Sequence, residues 1–271
     1  MDSNLNWIIL GSQLGVKVNF FRVSMPRLKN ISYIHFDTLD STNTWTKKNA
    51  ATLDAHQLTC VTALEQTAGR GRFFRQWISP KGQNIYATLF FCLPRDCPYL
   101  INLGQILSLS CIAVLKKNGF APQIKWPNDI ILEGKKVSGV LCETIPFEDR
   151  IGIVLGIGIN VNMSNELLEK IDQPATSLSQ LSGQTWTLEQ ILEPVLNQFL
   201  TDLNILQTKG FEPFRNTYEQ LLAFRGKMIS CNDGVRNLKG ICHSINFDGR
   251  LNLLLPDGQL TVLSAGELKL Q

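Results

Sequence analysis

The sequence predicts an α+β fold: a mixed, largely antiparallel sheet with helices, followed by a small β-barrel. Three features carry that expectation. Short β-branched and apolar runs separated by turn residues recur between Ile31 and Val161, the texture of strands joined by tight connections. One long and almost wholly apolar segment, Leu100–Lys117, interrupts them. After Gly226 come three Asp-Gly pairs, Asp233-Gly234, Asp248-Gly249 and Asp257-Gly258, each between apolar or alternating runs, which is the signal of tight hairpins.

Taken in order, residues 1–29 show no sustained period. They are read as an N-terminal extension of unassigned structure, either an appendage or residues ahead of a start at Met25. Ile31–Phe36 reads as a strand. Asp40-Ser41-Thr42-Asn43 offers N-cap residues ahead of Trp45, because their short polar side chains accept from free helix N–H groups. Gln57–Leu64 and Asn84–Leu93 read as strands, the second stopped by Pro94. Leu100–Lys117 reads as a buried helix with Lys116 and Lys117 at its C-terminus and Gly119 after it, both favourable there. Gln123–Trp126, Ile130–Leu132, Lys136–Cys142 and Ile151–Val161 form an antiparallel series, with turns at Glu133-Gly134 and a loop at 146–150.

A longer helix begins at Thr187, with Leu188, Ile191, Leu192, Val195, Leu196, Phe199, Leu203 and Leu206 at helical spacing. Thr187 and Gln190 have capping-box spacing. Pro194 is expected to kink this helix, and Gly210 to end it. A second helix is expected over 213–224, and residues 226–271 form the barrel of four or five strands. The resulting domains are 1–29, 30–225 and 226–271.

The 271 residues suffice for one large apolar core and a small second domain. The formal charge of +3, from 26 basic and 23 acidic residues, argues against a general nucleic-acid binder. The seven cysteines are an odd number without C-x-x-C spacing, which reads as reduced thiols of a cytoplasmic protein. A catalytic cysteine has only His35, His56 and His243 as candidate bases, none in a nucleophile setting. The N-terminus lacks the basic charge and apolar length of a signal peptide. No run approaches the roughly 20 apolar residues of a membrane span, so no membrane partner is expected.

Four segments carry chemistry. In Glu65-Gln66-Thr67-Ala68-Gly69-Arg70-Gly71-Arg72, alternating glycines let the backbone approach a ligand. The arginines between them suit carboxylate and phosphate, and Gln66 can donate and accept towards a neutral amide or urea-like head. The segment is not a Walker A loop, and by itself it also fits a solvated basic loop. In Lys125-Trp126-Pro127-Asn128-Asp129, the proline fixes the chain and leaves Asn128 and Asp129 at a turn. Asp129 there faces a metal or an amine, or makes an ordinary Asx turn. In Lys135-Lys136-Val137-Ser138-Gly139-Val140, strand alternation keeps one lysine in solvent and turns the other inward, unless the pair is a solvated hairpin turn. In Gly156-Ile157-Gly158-Ile159-Asn160-Val161-Asn162, the strand glycines mark a close approach, either one wall of a nucleotide pocket or barrel packing.

In this order, these segments and the runs Ser41-Thr42-Asn43 and Trp77-x-Ser79-Pro80-x-Gly82-x-Asn84 resemble the biotin protein ligase family over about residues 31–271. The resemblance implies a class II synthetase-like biotin/lipoate ligase catalytic domain followed by an SH3-like barrel. It also implies two steps that use ATP and biotin as substrates, with Mg²⁺: formation of biotinyl-5′-AMP, then transfer to one lysine of a biotin carboxyl carrier protein, such as the carrier domain of acetyl-CoA carboxylase. By resemblance Arg70, Arg72, Lys136 and Asp129 are catalytic. Ser41, Thr42, Asn43, Gln66, Gly69, Arg70, Gly71, Arg72, Lys136 and Gly139 bind biotin, and Trp77, Asn128 and Asn160 line the nucleotide. Asp129 either contacts Mg²⁺ or receives a proton from the attacking lysine.

The resemblance further implies that the Arg70–Lys81 loop orders on binding. Phe73 and Phe74 stand where many relatives have Arg and Gly. Some relatives add a helix-turn-helix repressor domain. About 30 residues ahead of the catalytic domain are too few for one, so no nucleic-acid partner is expected. A homodimer is compatible with the resemblance. Two rival readings are a lipoate or octanoate protein ligase, which would favour an apolar acyl pocket, and a non-catalytic biotin-binding regulator, which would not need Arg70, Arg72 and Lys136.

Overall fold

The computed structural model describes residues 7–8, 17–22 and 30–271, apart from Glu148 and Val235. The rest of the unassigned N-terminal extension lies outside the described residues. The chain divides into two compact units, residues 1–98 with 138–192, and residues 99–137 with 193–271.

The first unit is built on a sheet. Its strands are β1 (Trp7–Ile8), β2 (Lys17–Arg22), β3 (Asn30–Leu39), β4 (Leu58–Gln66) and β5 (Ile85–Pro94). The helix α1 (Thr42–Asn49) connects β3 to β4. That crossover is why β3 and β4 pair in parallel, with Ile34 opposite Val61, while the neighbouring pairs are antiparallel. Within the expected N-terminal extension, β2 pairs with β3, Val18 opposite Ile34. Apolar residues of β3 and β4, Ile34, Phe36, Val61 and Ala63, form one core cluster, onto which Trp45 of α1 packs. Ala50, Phe90 and Val154 centre a second.

In the second unit, Leu100–Asn102 form a 3-10 turn and α2 (Leu103–Lys117) follows as the central helix, buried on nearly all sides. By length and composition Leu100–Lys117 could cross a membrane, which corrects the expectation that no segment comes near that length. Its burial among protein side chains marks it as a core helix. The hairpin β6 (Gln123–Lys125) and β7 (Asp129–Leu132) follows. Its successor β8 (Lys135–Phe147) starts in the second unit and continues in the first, where it pairs with β9 (Arg150–Ile159) along its length. Strand pairing extends to Pro146 opposite Ile151 and Phe147 opposite Arg150, so the expected 146–150 loop is shorter than its proline suggested. Pro146 lacks a donor but still keeps its side chain and carbonyl in the strand.

Two short helices, α3 (Asn165–Leu168) and α4 (Leu178–Ser182), lead to α5 (Leu188–Lys209), which runs through Pro194. The last helix, α6 (Glu212–Gln220), ends four residues before the expected limit at 224. The cause is a competing ladder: Ile124 N–H donates to Leu221 O at 2.7 Å, and Ala223 N–H donates to Ile124 O at 2.9 Å.

The C-terminal sheet holds β10 (Met228–Asn232), β11 (Asn237–Ile245), β12 (Leu251–Leu254), β13 (Leu260–Leu263) and β14 (Glu267–Leu270), in the order β13-β12-β11-β10-β14 and antiparallel throughout. Each Asp-Gly pair sits in the expected turn, with glycine φ of +92°, +85° and +84°, the left-handed region glycine enters at little cost.

Candidate active site

The first unit assembles a buried polar chain behind the glycine-arginine loop. Ser41 is the N-cap of α1 and its hydroxyl accepts from Thr44 N–H, so one predicted ligand-binding hydroxyl also holds the helix start. That places Thr42 and Asn43 in the first turn, both buried. Gln66, the last residue of β4, accepts at Oε1 from Thr42 N–H at 2.9 Å and lies 3.2 Å from the Thr42 hydroxyl. Its Nε2 donates to Ser79 Oγ at 2.9 Å, and Ser79 donates to Trp77 O. Thr88, fully buried in the apolar β5, lies 2.7 Å from Thr42 Oγ1 and 2.6 Å from Asn43 Oδ1. Asn43 Oδ1 can only accept, so Thr88 donates to it, and Thr42 has one hydroxyl hydrogen for two acceptors. Polar groups this deeply buried are tolerable only because each finds a partner.

The glycines have steric reasons of their own. A Cβ on Gly69 would lie 2.4 Å from Trp77 O and 2.6 Å from Ser79 Oγ. One on Gly156 would lie 2.1 Å from Asn43 Oδ1, and one on Gly158 would lie 2.5 Å from the Trp77 indole. The strand glycines of β9 therefore seat Asn43 and Trp77 against the sheet. Gly71 is different: a Cβ there would make only ordinary contacts. Gly139 lies opposite Gly158 in the ladder.

Charge gathers beside this network. Glu143 of β8 accepts from Asn43 Nδ2 at 3.1 Å and from Lys47 Nζ at 2.8 Å, and it pairs with both terminal nitrogens of Arg70 at 3.3 and 3.4 Å. Burial alone would raise the Glu143 carboxyl. Hydrogen bonds from Lys47 and Asn43, with the charges of Lys47 and Arg70, outweigh burial and hold it below the ordinary glutamate value. The loop from Arg70 to Gln76 closes as a small hairpin, with Gly71 N–H donating to Arg75 O at 2.7 Å. At its tip Phe73 is exposed and takes φ +52°, and the Arg72 guanidinium lies over its ring at 4.9 Å.

The second unit holds Asn128, Asp129 and Lys136. Lys135 is exposed and Lys136 turns inward, its Nζ 2.8 Å from Asp129 Oδ1, as strand alternation requires. Asn128 is buried, and its carbonyl accepts from Ser108 at 3.4 Å. Tyr218 donates a short hydrogen bond to Pro127 O, and Trp126 Nε1 donates to Gly249 O at 3.2 Å. Asn160, in the first unit, is buried with its Nδ2 donating to Thr176 O at 3.1 Å. Its amide nitrogen is engaged inside that unit.

Sequence reasoning missed Thr88, Lys47 and Glu143 as members of the site. Thr88 had a readable signal, a small hydroxyl side chain in the middle of an apolar strand. Lys47 lies four residues after Asn43, hence on the same helix face. The cysteines behave as expected: all are free, and burial pushes Cys60 and Cys142 up to about 12 and Cys242 up to about 11, so none of these three is a thiolate at neutral pH.

Comparisons with known proteins cover the chain that carries this site. The sequence profile of the Biotin/lipoate A/B protein ligase family matches residues 35–160. The Bifunctional ligase/repressor BirA of Bacillus subtilis is 36% identical over 242 residues, covering 86% of this chain and 72% of that protein. The chain belongs to this family. The Biotin--[acetyl-CoA-carboxylase] ligase of Paracoccus denitrificans is 31% identical, over 83% of this chain and 95% of its own length. Among solved structures, the biotin protein ligase from Aquifex aeolicus in complex with biotin and ATP superposes with a TM-score of 0.74 at 29% identity, over 88% of this chain and 98% of that one. The α+β architecture with a small C-terminal sheet is thus that of the biotin protein ligases.

Proposed function

We propose that this protein is a biotin protein ligase: it joins biotin and ATP into biotinyl-5′-AMP and transfers the biotinyl group to a lysine of the carrier domain of a carboxylase such as acetyl-CoA carboxylase. The observation that carries this reading is likeness over nearly the full length of a biotin--[acetyl-CoA-carboxylase] ligase. In the first step a biotin carboxylate oxygen attacks the α-phosphorus of ATP and pyrophosphate leaves. In the second the carrier amine attacks the anhydride carbonyl, and AMP leaves with the carbonyl–oxygen bond.

Each part of the site has a use in that chemistry. Thr42 and Gln66 offer donors and acceptors matched to a neutral ureido ring, which an apolar acyl chain would leave unsatisfied. This disfavours lipoate or octanoate. Arg70, Arg72 and Lys136 offset the repulsion between two anions and the charge that builds on phosphorus, which a mere biotin sensor would not need. Trp77, Asn128 and Asn160 serve the nucleotide side, and Gly69, Gly71 and Gly139 keep the backbone low along the ligand.

Asp129 pairs with Lys136 and is assigned the task of aiming it. No group of three His, Cys, Asp or Glu able to cage a metal occurs among the described residues; Mg²⁺ would enter with ATP, held by its phosphates and at most one or two carboxylates, of which Asp129 is the candidate. We further assign residues 30–225 to the catalytic domain and 226–271 to the barrel, assign the protein to the cytoplasm, and expect no nucleic acid or membrane among its partners; a homodimer is compatible with this reading.

Exchange of labelled pyrophosphate into ATP reports the first step without a carrier. Exchange is expected with biotin and not with lipoate or octanoate. Exchange with lipoate or octanoate instead would overturn the substrate, and no exchange from folded protein that binds biotin would leave only a sensor.

A further inference from the structure

One densely bonded charged group of the first unit is one that the resemblance to known ligases did not point to. Glu143 sits in the interior of β8, its backbone paired with Val154 of β9, so its Cα is fixed by the sheet. Its side chain is 19% exposed and meets two cations and one amide. Lys47 and Asn43 reach it from one face of α1, four residues apart. Arg70 reaches it from the loop after β4, with both terminal nitrogens directed at its two oxygens.

This arrangement exceeds what folding requires. Lys47 at 2.8 Å and Asn43 at 3.1 Å already give each carboxylate oxygen a donor. Bringing a loop arginine in as well orders a side chain that is 38% exposed, and restraining a rotamer-rich side chain costs entropy. What the restraint gives is a fixed direction. A guanidinium has five N–H donors, and those turned away from Glu143 remain for a ligand. The counting of charge agrees: Lys47 and Arg70 against Glu143 leave one positive charge, the complement of a single carboxylate.

The same carboxylate closes the buried chain from Gln66 through Thr42, Thr88 and Asn43. The group that aims Arg70 is therefore bonded to the residues that would hold the ureido ring.

We propose that Glu143 is a positioning residue that presets the Arg70 guanidinium, through a two-nitrogen ion pair, to receive the carboxylate of bound biotin. This rests on the assignment of biotin as substrate. Glu143 touches neither biotin nor ATP in this account. It acts through Arg70, while Thr42 and Gln66, which do not touch Glu143, hold the neutral end of the ligand.

The test compares two ligands that share a ureido ring: biotin, and biotinol, in which a neutral alcohol replaces the carboxylate. Dissociation constants are measured by calorimetry for the wild type, Glu143→Gln, Arg70→Gln and the double variant. Gln keeps the shape and one acceptor oxygen, which stays with Lys47 or Asn43 while its amide NH2 faces the other, and it removes the charge that aligns Arg70. Glu143→Gln is expected to weaken biotin about five- to tenfold, below the full scale of a charge-assisted contact because the Arg70 side chain is 38% exposed, and biotinol by less than about twofold. In the Arg70→Gln background it is expected to add nothing, since the two changes then remove one interaction. Glu143→Asp, which keeps the charge on a shorter arm, should fall between, and it carries the same comparison if Glu143→Gln does not fold.

Equal weakening of both ligands would reduce Glu143 to a structural residue. Tighter biotin binding would make it a competitor for Arg70. An undiminished effect without Arg70 would sever the link; each of these overturns the proposal. A wild type that binds neither ligand and exchanges no pyrophosphate would overturn the ligase reading, and the proposal with it. Exchange by the wild type with an unchanged ratio in the variant sinks the proposal alone.

Discussion

Two regions of the site are built on opposite plans. Around Gln66, the polar groups are neutral, buried and bonded to one another, and Thr42, Asn43 and Thr88 are each less than 5% exposed. Around Arg70–Arg75, the groups are charged, largely on the surface, and carried by a short hairpin whose tip residue takes a left-handed backbone. The first is shaped before any ligand arrives. A neutral head group offers too little electrostatic energy to organise its own site, and an unpaired amide in a buried pocket is expensive. The second can afford looseness, because anionic groups attract arginines over longer distances and the anhydride must be shielded once formed. Hold on the neutral head group should therefore respond to changes in the first region, and hold on the carboxylate together with the chemistry to changes in the cationic one.

The largest expected effect is on chemistry. Lys136→Ala should lower pyrophosphate exchange by about a hundredfold or more, typical for loss of one group that stabilises developing charge, while biotin binding is largely kept. An unchanged exchange rate would remove Lys136 from the mechanism.

Next is Gln66→Met, similar in shape but unable to accept from Thr42. It strands the Thr42 N–H and frees Ser79 from its donor, at about 1–3 kcal/mol per buried group. Biotin affinity should fall at least tenfold and the melting temperature should drop. Affinity retained to within twofold would show that the ligand does not read this network.

Gly158→Ala comes third. Its Cβ would lie 2.5 Å from the Trp77 indole, so Trp77 must shift, at about 1–3 kcal/mol for overpacking. The KM for ATP should rise more than that for biotin, and equal rises would remove Trp77 from the nucleotide side.

Smallest is Phe73→Gly, which removes a left-handed non-glycine residue and the ring under Arg72. Thermal stability should change by no more than about 1 kcal/mol, with exchange altered less than threefold. A large loss of activity would show that the aromatic tip is part of the chemistry.

Acid should sharpen the contrast further. The Glu143 carboxyl is held below its ordinary value, so its ion pairs contribute stability that is complete above the usual glutamate range and is lost as pH falls through the lowered value. The melting-temperature gap between wild type and Glu143→Gln should be constant from neutral pH down to about pH 5 and close below pH 4. A gap that closes already at pH 6 would assign the stabilisation to another group.

Much of the fold was legible in the sequence because its signals are local. The Asp-Gly pairs fixed the hairpins of the C-terminal sheet, since only a left-handed turn residue fits there. The long apolar run gave α2, and the run Asp40-Ser41-Thr42-Asn43 marked the start of α1, where the fold selects Ser41 as the cap. Failures came where a distant partner decides. The end of α6 at Gln220 is set by the backbone of Ile124, almost a hundred residues earlier, and no helical period can report that.

The site divides in the same way. Gln66, Gly69 and the arginines are visible as a motif. Glu143 is the one acidic residue within β8, and Thr88 a small hydroxyl side chain within the apolar β5, and their meaning appears only when β5, β8 and α1 come together. Gly156 and Gly158 announced a close approach, but only the fold shows that Asn43 and Trp77 are what approaches.

The division of labour between the two regions is tested most directly by measuring biotin dissociation constants and pyrophosphate exchange side by side for Gln66→Met and Lys136→Ala. The expected result is a crossing: Gln66→Met loses binding, and its exchange recovers as biotin is raised, whereas Lys136→Ala binds biotin within about threefold of wild type and exchanges little at any concentration. If both variants lose binding and turnover in the same proportion, the neutral network and the charged groups act as one unit, and the separation drawn here is wrong.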